Sequence, residues 1–92
     1  MCDAHPILGR IHQTQVIVVV RASKTNGLRT LSGELAALGL GVHEITLTTP
    51  GALDCIYDLR THQEGLVVGA GTVLDAQTAR DAIIAGAQFI VS

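Results

Sequence analysis

The sequence predicts an α/β fold in which helices cover a parallel β-sheet. Four short apolar segments begin near residues 15, 42, 66 and 88, and stretches with helical periodicity separate them. This alternation, at intervals of roughly two dozen residues, is typical of parallel strands joined by crossover helices. Hydrophobic residues make up 48% of the 92 residues and charged residues 15%, so the chain is expected to bury a core.

The first unit begins with QVIVVV at residues 15–20, a β-branched run that is apolar on both faces and too short for a helix. This composition predicts a buried parallel strand. The next segment predicts an amphipathic helix that ends at Gly39 and Gly41. Four leucines share its apolar face: Leu28, Leu31, Leu35 and Leu38.

The second unit combines a strand at residues 42–47 with another helix. Thr49 is predicted to cap this helix, and Pro50 is predicted to occupy its first position. The periodicity of the apolar residues predicts that Leu53, Ile56 and Leu59 line its buried face.

The third unit begins with a strand at residues 66–68, which leads through glycines to Asp75, a predicted N-cap. The helix that follows is expected to carry Ala79, Ala82 and Ile83 and to end at Gly86. Residues 88–91 predict a fourth strand.

Two architectures fit this alternation, a doubly wound sheet and half of an eight-stranded (β/α)8 barrel. The second strand favours the barrel, because its alternation places Val42, Glu44 and Thr46 on one face and His43, Ile45 and Leu47 on the other. If Ile45 packs against helices, Glu44 points into the interior that a barrel encloses. The alternative is a salt-bridged or edge-exposed glutamate.

Charge and composition exclude several classes of function. The net charge is −2 with six lysines and arginines in all, which argues against nucleic acid and anionic membranes as partners. No apolar run approaches the length of a membrane span, and residues 1–14, taken as an N-terminal segment, lack the apolar core of a signal peptide. A cytoplasmic location is therefore expected, which also suits Cys2 and Cys55 as free thiols.

The sequence also gives no sign of a metal or nucleotide site. The four histidines share no ligand spacing with cysteines or carboxylates. Residues 69–74 begin like a dinucleotide-binding glycine motif, but Leu74 stands where its third glycine would be. No cofactor is expected.

Two stretches carry a specific resemblance, VHEITLTTPGALDCI and GLVVGAGTVLDAQTARDAIIAGAQFIVS. They resemble the 2-keto-3-deoxy-6-phosphogluconate (KDPG) and 4-hydroxy-2-oxoglutarate (KHG) aldolases, whose second strand carries a glutamate in a similar E-V-T-L context and whose third ends in G-A-G-T-V. The pattern VIVVVR and the approach G-A-Q-F to the fourth strand extend the resemblance. It implies that residues 15–92 are the first four βα units of a TIM barrel, a truncated half-barrel.

The resemblance implies a class I aldolase, in which a lysine forms a Schiff base with a 2-keto acid and the products are pyruvate and an aldehyde. Glu44 would be the general acid and base, and Thr72 with Gly71 would bind the substrate carboxylate. For Gly69 and Gly71 the alternative explanation is a tight turn that needs positive φ. The full-length enzyme would be a homo-oligomer without metal.

The sequence departs from the family in two respects. Thr48 stands where these aldolases place an arginine that holds the carboxylate, and Arg21 is the candidate substitute, with a solvated surface arginine as the alternative. The family's lysine lies on the sixth strand, whereas Lys24, the single lysine here, lies in the first βα loop and is expected to be solvated. The chain is thus expected to be inactive alone; the alternative is a non-catalytic half-barrel that self-associates.

Overall fold

The computed structural model describes residues 6–7, 9, 11, 16–20, 27–63 and 65–92. Within them it contains three strands and three helices in strict alternation, and this confirms the predicted α/β fold. In chain order these elements are β1 (Val18–Val20), α1 (Leu28–Ala37), β2 (Val42–Thr46), α2 (Ala52–His62), β3 (Val67–Gly71) and α3 (Ala76–Ala85). Four residues near the N-terminus, Pro6, Ile7, Gly9 and Ile11, are also helical.

The three strands form one parallel sheet in the order β1-β2-β3. Glu44 lies in register with Val19 on one side and with Gly69 on the other, and Thr46 is paired with Gly71. Because the strands are parallel and adjacent, their carboxyl ends meet at one edge of the sheet, where binding residues of parallel α/β proteins usually lie.

The predicted fourth strand is wrong in extent: the described residues there form a single parallel bridge between Ala70 and Ile90. Backbone bonds flank it, since Gln88 N–H donates to Val68 O at 2.7 Å and Val91 N–H to Ala70 O at 2.9 Å. The regular ladder is interrupted because the side chain of Gln88 also accepts the Val68 N–H, at 2.9 Å. The chain therefore follows β3 without becoming a strand of the sheet.

The core lies between the sheet and the helices. Ile45, Ile56 and Leu59 are fully buried, as the periodicity of β2 and α2 predicts. Four other residues expected on buried faces are exposed instead: Leu31, Leu38, Leu53 and Ile83. For Leu31, Leu38 and Ile83 the reason is that α2 contacts both neighbouring helices, β2 and β3, whereas α1 and α3 flank it. Each of these outer helices has one side without a neighbour among the described residues.

The helix ends differ in how well the sequence predicts them. Asp75 caps α3 by accepting the Thr78 N–H at 2.7 Å, and Gly86 ends the helix with φ 118°, both as expected. The predicted cap of α2 is wrong, because the helix begins at Ala52 and its cap residue is Gly51 with φ 72°. Thr49 instead directs its hydroxyl to Thr46 Oγ1, at 3.1 Å.

No helix in the described part of the chain is long and apolar enough to cross a membrane. The proposed boundary between residues 1–14 and 15–92 falls largely outside the described residues and stays a prediction.

Candidate functional site

The carboxylate of Glu44 lies on the face of the sheet opposite the helices. Its neighbour Ile45 is fully buried in the core with the helices, and side chains alternate along a strand. The Glu44 side chain is half-buried and lies directly over Gly71 of the adjacent strand. A Cβ at Gly71 would overlap the Glu44 Oε2 atom and lie only 2.6 Å from its Cδ.

The same face of β3 makes room for an aromatic ring. A Cβ at Gly69 would overlap the ring of Phe89, which therefore packs directly against the Gly69 backbone. Neither Gly69 nor Gly71 is among the described glycines with positive φ, so the tight-turn explanation is wrong for this pair. These glycines instead permit close approach, one to Phe89 and the other to Glu44.

Thr72 follows Gly71 at the tip of β3 and carries the unusual backbone conformation instead. Its φ is 59°, and among the described residues it is the one non-glycine residue with positive φ. A β-branched residue in this region is a genuine outlier that costs roughly 1–2 kcal/mol. Such strain clusters at functional sites, where the surrounding structure maintains it. The candidate binding residue Thr72 thus stands beside Gly71, over which the Glu44 carboxylate lies.

Thr48 lies in the loop that follows β2, where it is exposed. Its hydroxyl donates a hydrogen bond to Thr46 Oγ1 at 3.4 Å. Glu44, Gly71, Thr72 and Thr48 are thus all placed on β2 and β3 or just beyond their carboxyl ends. Arg21 and Lys24 lie outside the described residues, and the role of Arg21 in place of the family's arginine stays a prediction.

Two residues without a predicted role belong to this face. Phe89 packs on Gly69, and the buried Thr46 lies two residues beyond Glu44 along β2. The alternation of β2 already places Thr46 on the side of Glu44. For Phe89 the signal is weaker, because its position depends on how residues 87–91 follow β3.

His43 lies on the opposite face and belongs to a different polar network. Its Nδ1 is 3.0 Å from Ser32 Oγ, and its Nε2 is 2.7 Å from the carbonyl oxygen of Leu40, to which it donates. Burial lowers the pKa of His43, and the bond to Leu40 opposes this only in part. The imidazole is therefore neutral and its network holds α1 to β2.

The described residues contain no group of three His, Cys, Asp or Glu side chains that could hold a metal ion. Cys55 is a free thiol, and burial raises its pKa, which makes it a poor nucleophile. A cavity of about 490 Å³ lies near the start of α2 and is lined in part by Leu53, Asp54 and Asp81. Glu44 and Thr72 do not line it.

Comparison with known proteins gives the family of the chain. The sequence model of a family described as the KDPG and KHG aldolases matches residues 7–92. The chain belongs to this family. A KDPG aldolase of Haemophilus influenzae is 31% identical over 86 residues, which cover 94% of the chain and 41% of that relative. The KHG/KDPG aldolase of Escherichia coli K12 is 36% identical over 77 residues, which cover 84% of the chain and 36% of that enzyme.

Solved structures of the family have the same fold in the matched part. The KDPG aldolase of Zymomonas mobilis ZM4 with 3-phosphoglycerate superposes with a TM-score of 0.85 at 37% identity, over 94% of this chain and 41% of that one. The Legionella pneumophila KDPG aldolase, which holds pyruvate as a covalent carbinolamine intermediate, gives 0.84 at 30% identity over 99% and 44% of the two chains. This chain therefore spans less than half the length of these family members.

Proposed function

We propose that this chain supplies part of the active site of a class I aldolase that cleaves 2-keto-3-deoxy-6-phosphogluconate or a related 2-keto acid to pyruvate and an aldehyde. The observation that carries the proposal is the position of the Glu44 carboxylate, which lies over Gly71 and beside the strained Thr72. A half-buried carboxylate next to an outlier backbone at the carboxyl ends of parallel strands is typical of an active site.

Glu44 is proposed to move protons during the reaction. A lysine amine adds to the keto carbon to give a carbinolamine. The carbinolamine loses water to give a Schiff base, and the carbon–carbon bond then breaks with the Schiff base as electron sink. Each step transfers a proton, and one carboxylate can accept and return it. The pyruvate carbinolamine belongs to the Legionella pneumophila relative. For this protein we propose that the nucleophile is a lysine other than Lys24.

Thr72 and Gly71 are proposed to bind the carboxylate of the keto acid. A threonine hydroxyl and backbone N–H groups at a strand tip are suitable donors to a carboxylate. The strained backbone of Thr72 supports this role, because glycine would adopt φ 59° without strain but would lack the hydroxyl. Thr48 adds a neutral hydroxyl nearby, and we propose Arg21 as the source of positive charge.

The decisive experiment uses a fusion protein in which all 92 residues are joined to the part of the Zymomonas mobilis KDPG aldolase that the match does not cover. We expect the fusion to cleave KDPG and E44Q to lower kcat at least about 100-fold, as the loss of a general acid and base does. E34Q, which alters an exposed glutamate on α1, is the matched control and should keep parental activity. Equal activity of E44Q and the parent would refute the role of Glu44.

A second experiment tests where the Schiff base forms. Pyruvate and borohydride should add no mass at Lys24 of the chain alone, whereas the fusion should be trapped at a lysine of its downstream part. K24R in the fusion should not change the yield. An adduct on Lys24 would contradict the proposal that the nucleophile is another lysine.

A second candidate function is a non-catalytic half-barrel that closes by self-association. The exposed apolar side chains of β1 and the residues before it favour this reading, since Val16 and Val19 are 45% and 57% exposed. Sedimentation distinguishes the two, because a discrete, well-folded dimer supports the scaffold and a broad distribution of sizes supports part of an enzyme. We favour the enzyme, because a scaffold needs no strained threonine beside a carboxylate.

A further inference from the structure

The hydroxyl of Thr46 lies where the carboxyl ends of the three strands meet. Thr46 is the last residue of β2, its side chain is 1% exposed, and its paired residue Gly71 is the last residue of β3. The last residue of β1, Val20, lies within hydrogen-bond distance of the same side chain. One buried hydroxyl thus contacts or adjoins all three strand ends.

The hydroxyl of Thr46 uses all of its hydrogen-bond donor and acceptor positions. Its O–H donates to the carbonyl oxygen of Val20 at 3.2 Å, because that oxygen can only accept. With its single proton engaged, Thr46 Oγ1 accepts from Thr49 Oγ1 at 3.1 Å and from Thr48 Oγ1 at 3.4 Å. A hydroxyl has one donor and two acceptor positions, so the three bonds complete it.

Backbone bonds extend this network to β3. Leu47 N–H, which follows Thr46, donates to the carbonyl oxygen of Gly71 at 2.9 Å. That carbonyl belongs to the peptide unit that leads into Thr72, where the backbone has φ 59°. The position of the backbone at the end of β2 is therefore coupled to the position of the strained residue Thr72 at the tip of β3. A fully bonded buried network of this kind fixes one arrangement of the groups it joins.

We infer that Thr46 is a positioning residue, whose hydroxyl sets the spacing between Thr48 and Thr72 just beyond the carboxyl ends of β2 and β3. The inference rests on the proposed function, because these two side chains are the proposed contacts of the keto-acid carboxylate. Thr46 itself need not contact the substrate, since its hydroxyl has no free position. Loss of the hydroxyl would remove the bonds that Thr48 and Thr49 make to it and the bond between β2 and the carbonyl oxygen of Val20.

The test compares T46V and T46S in the fusion protein. Valine keeps the shape and removes the hydroxyl, so we expect KM for KDPG to rise about fivefold to tenfold, the effect of one or two misplaced hydrogen bonds, with kcat changed less than about twofold. Serine keeps the hydroxyl and should restore KM to within about twofold of the parent. KM does not depend on how much of the protein is folded, so a merely structural role would lower the yield and leave KM unchanged.

T61V is the matched control. Thr61 Oγ1 also donates to a backbone carbonyl, that of Tyr57 at 2.7 Å, but at an exposed position near the end of α2, away from the strand ends. We expect T61V to keep the parental KM. Should T46V fail to fold, T49V removes one bond of the network and leaves Thr46 in place, and its KM should rise by a smaller factor.

The outcomes separate the inference from the proposed function. An active fusion that E44Q impairs, together with a parental KM in T46V or in a T49V that replaces it, overturns the inference alone. A raised KM that T46S does not restore also overturns it. A fusion without activity overturns the proposed function and the inference with it. A raised KM in T46V, restored in T46S and absent in T61V, supports both.

Discussion

At the scale of single residues, the site depends on the presence of glycine at position 71. Gly71 has no Cβ, and the Glu44 carboxyl group occupies the space that a Cβ would need. The glycine is in the strand and does not have positive φ, so its role is steric. A mutation at either residue should therefore affect the other.

We predict that G71A destabilises the chain by about 1 kcal/mol, the lower end of the cost of overpacking, because the new methyl group displaces the flexible end of the Glu44 side chain. The double variant E44A/G71A should recover most of this loss, because the carboxyl group that meets the new methyl is gone. The free energy of unfolding in urea for the parent, both single variants and the double variant gives the coupling. Additive effects of the two substitutions would contradict the close approach.

His43 permits a second prediction at the residue scale, on pH. Burial lowers its pKa, so the unfolded chain binds a proton at a higher pH than the folded chain does. The stability that the neutral imidazole contributes is present above the unfolded value of about 6.5 and is lost as pH falls below it. Urea unfolding should show this loss in the parent as pH is lowered from about 6.5.

H43Q should remove most of this pH dependence. H62Q is the matched control, since it removes an exposed imidazole on α2 and should leave the dependence in place. An identical fall in the unfolding free energy of H43Q and the parent would show that His43 does not cause it.

At the scale of elements, the three helices differ in how they are stabilised. The central helix α2 buries Ala52, Cys55, Ile56 and Leu59 between two helices and the sheet. The helix α1 is joined to it by Arg29, which donates to both oxygens of Asp58. That bond raises the pKa of Arg29 and lowers the pKa of Asp58, but both side chains are near the surface, where such pairs contribute little. The outer helix α3 has a side-chain cap, Asp75, which α1 and α2 lack.

We predict that D75A lowers the thermal unfolding midpoint by a few degrees, because it leaves the Thr78 N–H without its acceptor. D75N is the matched control, since asparagine also caps helices and should stay near the parent. The Thr78 N–H lowers the pKa of Asp75, so the contribution of its charge is present above the unfolded value of about 3.9 and is lost as pH falls through the lower folded value. Circular dichroism melts at neutral and acidic pH test both statements, and a parental midpoint in D75A would contradict them.

At the scale of the whole molecule, one face of the sheet is covered by helices and the other carries the candidate site. Val19 of β1 is in register with Glu44 and so lies on the site's face, where it is 57% exposed. Exposed apolar residues on an edge strand favour pairing with another chain.

We therefore expect the chain alone to associate as its concentration rises, with a broad distribution of sizes in sedimentation velocity. V19K should reduce this association, because a charge on an edge strand opposes pairing. L38K is the matched control, since Leu38 is 76% exposed at the end of α1, and it should associate like the parent. Equal association of V19K and the parent would exclude the β1 edge as its cause.

The accuracy of the sequence-based predictions depends on the range of the interactions concerned. The alternation in β2, the Asp75 cap and the Gly86 helix end are decided within a few residues, and the structure confirms each. The cap of α2 was wrong because Thr49 bonds to Thr46, and the fourth strand was too long because Gln88 bonds to Val68 through its side chain. The extension to a half-barrel and the roles of Arg21 and Thr48 stay predictions.

The sequence by itself determined the order of strands and helices, the family and the face on which Glu44 lies, because periodicity and motifs are properties of neighbouring residues. Only the tertiary structure decided what meets the carboxylate. The contacts of Glu44 with Gly71, of Phe89 with Gly69 and of Thr46 with Val20 join residues that are 20 or more positions apart. Such pairs depend on strand register and on the path of the chain after each helix, which no local pattern specifies.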